Sequence, residues 1–145
     1  MINSKAKSSK RISDIFLKFA SPICEGISGN LAPEEYQKAL LVPMAVWNAV
    51  NLKHWGKSAD YVKDIIAEIA KHDSSDKEAT TAMIQTLVQR KNELFPDELW
   101  CIRDVIAYRD FNGELIIRVV AVAPEQFKDQ LPTHELVDGY RSNLN

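Results

Sequence analysis

From Ala39 to Val50 the chain reads Ala-Leu-Leu-Val-Pro-Met-Ala-Val-Trp-Asn-Ala-Val, with Asn48 the one clearly polar side chain. A helix that is apolar on every side has no face to give to water, so other elements must wrap around it. The segment therefore predicts a central helix, opened by Pro33 at its first position with Glu34 and Glu35 in the first turn, where the helix dipole favours negative charge. Pro43 inside it removes a backbone donor and frees the carbonyl of Ala39, which predicts a bend. The run is too short to span a bilayer, so no membrane segment is expected.

Three further helical patterns surround this one. Ile12, Ile15, Phe16, Phe19 and Ile23 recur at helical spacing, with Ser13 or Asp14 as the expected cap and Pro22 as the expected kink or stop. A third helix is expected from about Ala59 to Lys71, capped by Ser58, with Val62, Ile65, Ile66, Ile69 and Ala70 as its inner stripe. A fourth opens at Ser75-Asp76-Lys77-Glu78, which matches a capping box, and ends at Pro96-Asp97. Its inner face is read as Ala79, Met83, Ile84, Leu87, Val88, Leu94 and Phe95.

After Pro96 the apolar period changes to two, and Asp110-Phe111-Asn112-Gly113 separates two segments rich in β-branched and aromatic residues. This predicts a β-hairpin over about 99–123. A two-residue loop at Asn112-Gly113 sets Tyr108 opposite Ile117 and Ile106 opposite Val119. Ile102, Ile106 and Tyr108 then share an apolar face, and Arg103, Arg109 and Arg118 gather on the other. A three-residue loop, Phe111-Asn112-Gly113, shifts the pairing by one and moves Arg118 to the face of Ile106 and Tyr108. The cleaner apolar segregation favours the first register.

The 145 residues carry 18 basic and 20 acidic side chains. Lys5, Lys7, Lys10 and Arg11 lie within the first eleven residues, which contain no acid, so 14 basic residues face 20 acidic ones in the rest. The expectation is a disordered basic tail over 1–11, a single globular domain over 12–145 with helices over about 13–95, and an irregular C-terminal segment over 124–145. An acidic body argues against general affinity for a phosphate backbone. No secretory h-region follows the basic residues, and Cys24 and Cys101 suggest no disulfide framework, so the expected compartment is the cytoplasm.

Motifs that name a reaction are missing: there is no glycine-rich phosphate loop, CxxC pair, HExxH or GxSxG, and nothing implies a cofactor. Asp64, Glu68 and His72 recur every four residues on the third helix. Such a ladder can chelate a metal or exchange protons, although Asp64 and Glu68 point away from its apolar stripe, as a solvated face would. Trp55, beside Gly56, is a candidate partner contact, because tryptophan is enriched at binding hot spots. Arg103, Arg109 and Arg118 can receive carboxylates or phosphates through planar guanidinium forks.

The fold expected is α+β and mainly α, with about four helices around a central apolar one and a C-terminal antiparallel hairpin. The functional expectation is a small cytoplasmic interaction or regulatory protein that binds a protein partner or itself, with a homodimer through the unpaired hairpin edge as one route. The alternatives are a metal-assisted hydrolase using Asp64, Glu68 and His72, and a nucleic-acid accessory protein using the tail and the arginine face.

Overall fold

The computed structural model describes residues 7–8, 10–25, 32–54, 61–72 and 77–123. In chain order the elements are β1 (Lys7–Ser8), α1 (Lys10–Phe19), α2 (Ser21–Cys24), α3 (Pro33–Ala39), α4 (Leu41–His54), α5 (Tyr61–His72), α6 (Lys77–Leu94), β2 (Cys101–Arg109) and β3 (Leu115–Val122). The chain is α+β and mainly helical, and its C-terminal strands form an antiparallel hairpin. None of the described helices is long and apolar enough to cross a membrane.

The prolines explain why four helical stretches become six segments. Pro22 sits in the first turn of α2, beyond a break at Ala20. Pro33 opens α3 behind an extended Ala32, as the sequence indicates. Pro43 has no N–H to offer the carbonyl of Ala39, so the long helix is interrupted at Leu40 and restarts as α4 with Pro43 in its first turn, where free N–H groups are normal. Every residue of α4 from Met44 to Leu52 is buried. It packs against α3, α5, α6 and β2, so the apolar run is indeed the centre of the core.

One cap and one inner-face assignment need correction. Ser13 caps nothing: α1 begins at Lys10, and Ser13 lies buried inside it with its hydroxyl accepting a hydrogen bond from the Val119 N–H at 3.0 Å. On α6, Ile84 and Leu87 are buried as expected, but Ala79 and Leu94 are exposed. The next buried position along that face, one heptad after Ile84, is occupied by Lys91. The residues proposed to cap α5 and α6, Ser58 and Ser75, lie outside those described.

The basic segment is not wholly a tail. Lys7–Ser8 pairs with Val120 and Ala121 of β3, making a three-stranded antiparallel sheet in the order β1-β3-β2. Arg11 belongs to α1, and its guanidinium donates to both carboxylate oxygens of Glu98.

The favoured hairpin register is also overturned. Tyr108 pairs with Ile116, Ile106 with Arg118 and Val105 with Val119, the register of a three-residue loop. In the loop the Gly113 N–H donates to the Asp110 carbonyl, the Asp110 side chain accepts from the N–H groups of Asn112 and Glu114, and Gly113 has φ +80°. At the other end a bulge falls between Ile102 and Asp104, because Ile102 faces Ala121 while Asp104 faces Val120. One extra residue at Arg103 reverses the alternation. Ile102 is buried before the bulge and Val105 after it, and this turns Ile106 and Tyr108 outward.

Gly113 tests this loop. A side chain there meets no neighbour within 4 Å, so the cost of substitution is set by the positive φ alone. Gly113→Ala is expected to lower unfolding free energy by about 1 kcal/mol, and Gly113→Asn by clearly less, since Asn tolerates this conformation better. Urea denaturation of the two variants measures both values.

Candidate functional site

Two regions concentrate polar chemistry or exposed apolar surface. The first is a buried polar seam between α4 and the segment leading into β2. Trp47, Asn48 and Asn51 share one side of α4, being one, three and four residues apart. The Asn48 amide donates to the Ile102 carbonyl at 2.8 Å and accepts from the Ile102 N–H at 2.6 Å, so one side chain serves both backbone groups of one residue. Asn51 Nδ2 donates to the carbonyls of Glu98 (3.0 Å) and Trp100 (2.7 Å), and Trp47 Nε1 also donates to Trp100 at 2.8 Å. Residues 98–100 precede the ladder, so their inward carbonyls would otherwise be stranded. Asn51 Oδ1 is the one buried side-chain polar atom among the described residues without a partner.

Aromatic rings close around this seam. Trp47 lies 4.5 Å from Trp100, 5.1 Å from Phe19 and 6.2 Å from Phe95, centroid to centroid. Lys91, 0% exposed, extends over the Trp47 ring with Nζ 4.7 Å from its centroid and donates to the Phe95 carbonyl at 2.7 Å. Burial outweighs these contacts and pulls the ammonium down to a pKa of about 8, against the partial compensation of Glu98, Cys101 and Asp97. Arg90, one residue earlier, turns the other way and donates to the Phe19 carbonyl and the Ser21 hydroxyl, closing the C-terminal end of α1. The seam ties α4 to the segment leading into β2, and its polar groups other than Asn51 Oδ1 are spent on the chain's own backbone.

The second region is the outer side of the hairpin. In the observed register Asp104, Ile106 and Tyr108 stand beside Val120, Arg118 and Ile116 on one face. Ile106 is 39% and Tyr108 42% exposed, and Phe111 at the tip is 99% exposed. Ile106 and Tyr108 thus leave aliphatic and aromatic surface accessible beside an acid and a guanidinium.

The residues singled out in the sequence fall differently. Arg118 and Arg109 are on opposite faces of the hairpin, and Arg103 is at the bulge, so the three exposed arginines form no common face. The register shift and the bulge are the reasons. Asp64 is exposed on α5. The side chains of Glu68 and His72, and all of Trp55, lie outside the described residues. Among the described residues no three His, Cys, Asp or Glu side chains come together as metal ligands. Neither Cys24 nor Cys101 is in a disulfide. The hairpin edges, offered as a route to a homodimer, are largely engaged within the chain: Gln37 accepts from the Ala107 N–H and Asn48 pairs Ile102 on β2, and β1 and Ser13 cover part of β3.

Neither the known family models, the curated proteins nor the solved structures contain a match to this chain.

Two outcomes follow for the seam. Asn48→Ala strands both backbone groups of Ile102 and is expected to cost about 2–4 kcal/mol. Asn48→Asp keeps only the acceptor and should be no better at neutral pH, both being measurable by urea denaturation. For Lys91, the unfolded chain retains its proton up to about 10.5 while the native state releases it near 8. The unfolded state therefore binds more protons in that window, so this residue makes stability rise with pH from about 8 to 10.5. Denaturation across this range should show the rise in the wild type relative to Lys91→Met, which lacks the titrating group.

Proposed function

We propose that the protein is a small interaction module which binds a protein partner through the outer face of its hairpin. The observation that carries this reading is the exposed pair Ile106 and Tyr108 on the face that also holds Ile116, Val120, Asp104 and Arg118, with Phe111 projecting at the tip. Tyrosine and arginine beside aliphatic side chains are the residue types that dominate binding energy at interfaces. Separation of Arg109 from Arg118 counts against a phosphate-binding face, as does the acidic balance of the chain beyond its first eleven residues.

Two cysteines outside any disulfide suit a reducing compartment, which supports the cytoplasm as the place of action. The bound protein on this reading is either a different chain or a second copy. One experiment addresses both. A photo-reactive benzoylphenylalanine replaces Ile106, or Glu93 on the exposed side of α6 as the control, and the protein is crosslinked in its native cell. A discrete adduct is expected from position 106 and not from 93, and its mass separates a second 16.4 kDa copy from another protein. Equal, diffuse labelling at both positions contradicts the reading.

A further inference from the structure

The register shows which way the backbone points along β3. The Ala107 N–H donates outward to Gln37, and the Val119 N–H outward to Ser13, so the pairs Ala107/Ile117 and Val105/Val119 are the ones that do not hydrogen-bond to each other. The same alternation turns the N–H and C=O of Leu115 and Ile117 away from β2, toward the edge where β1 lies. β1 reaches only Val120 and Ala121, and Ser13 takes Val119. Beside 115–117 no described strand or side chain takes their place.

That stretch of edge borders a cleft of about 740 Å³. Its opposite wall is α1, which contributes Lys10, Ser13, Asp14 and Leu17, and Glu114 and Arg118 stand at the two ends of the open edge. A groove with a row of outward backbone donors and acceptors on one side selects an extended backbone, because only a strand matches that spacing. The apolar positions Leu17, Leu115 and Ile117 favour an aliphatic side chain in the occupant. Both signs of charge are present, Lys10 against Asp14 and Glu114, which favours a segment that carries an acid and a base around that aliphatic residue.

We propose that this cleft receives a short extended peptide segment of another protein, which adds to β3 as a strand at Leu115 and Ile117. The inference rests on the interaction reading and names an adjoining site: Tyr108, Ile116 and Arg118 of that face also line the cleft, whereas Ile106 and Phe111 do not. A symmetric β3 to β3 pairing of two copies is disfavoured. Antiparallel pairing about Ile116 would lay one copy's turn over the place held by β1 and Ser13 of the other.

The probe is a phage-displayed library of random nine-residue peptides, selected on the full chain, with the enriched peptides then synthesised and titrated. The expected result is enrichment of sequences with an aliphatic residue between charged ones, whose binding slows amide exchange at Leu115 and Ile117 at least tenfold. Leu17→Glu, at a half-buried position in the cleft wall, should weaken the titrated peptide at least tenfold, with its fold checked by circular dichroism and by retained exchange protection in α4. Phe111→Ser should leave peptide affinity unchanged. No enrichment over the bare support overturns the proposal, as does a peptide that binds without altering exchange at 115 and 117. If Leu17→Glu does not fold, the exchange experiment on the wild type decides alone. An Ile106 crosslink that survives failure of the peptide test keeps the hairpin-face reading while removing the cleft.

Discussion

The arrangement depends on one carboxamide. Asn48 sits fully buried in the middle of α4, where an unpaired amide would be heavily penalised, and meets both the N–H and the C=O of Ile102. It acts as a one-residue strand against the β2 edge. A sheet that docks on a helix ordinarily leaves its edge groups to water or to another strand, and here the core itself supplies the partner. Breaking either bond leaves a buried group unpaired, so the interaction specifies the position of the hairpin as well as holding it.

Other polar side chains repeat the device at lower cost. Asn51 and Trp47 take the carbonyls just before the strand, Gln37 covers Ala107 farther along the same edge, and Ser13 covers Val119 on β3. With Ile102 fixed inward and the bulge at Arg103 adding one residue, Val105 must turn to the core and Ile106 to solvent. The exposed face used for the interaction reading is therefore a consequence of how the strand is anchored. Lys91 belongs to the same construction: its stem fills a core position on α6, and its ammonium ends over Trp47 at the Phe95 carbonyl.

How much of this was legible in the sequence can be judged residue by residue. The apolar stretch from Ala39 announced the central helix, and Pro33 its start, because both act through local chemistry. The hairpin was visible from Asp110-Phe111-Asn112-Gly113, but the same four residues permit two registers, and strict alternation pointed to the wrong one. A bulge has no local signature at Cys101-Ile102-Arg103-Asp104; it arises because Ile102 must reach Asn48, 54 residues earlier. Asn48 stood out as the one clearly polar side chain of the apolar run, but its partner on β2 was not visible from the sequence. Asn51 and Lys91 did not stand out, since each looks like an unremarkable polar residue on a helix until tertiary packing covers it. The outer-face pair Ile106 and Tyr108 was read as core for the same reason that the arginines were read as one face.

Native-state hydrogen exchange of the Ile102 amide tests the central claim most directly. If Asn48 holds Ile102 as a buried strand partner, this amide exchanges only through global unfolding, and its protection equals the unfolding free energy measured independently by denaturant. Exchange at the rate of an exposed sheet edge, with amides of α4 still fully protected, would show that the hairpin is anchored by something other than Asn48.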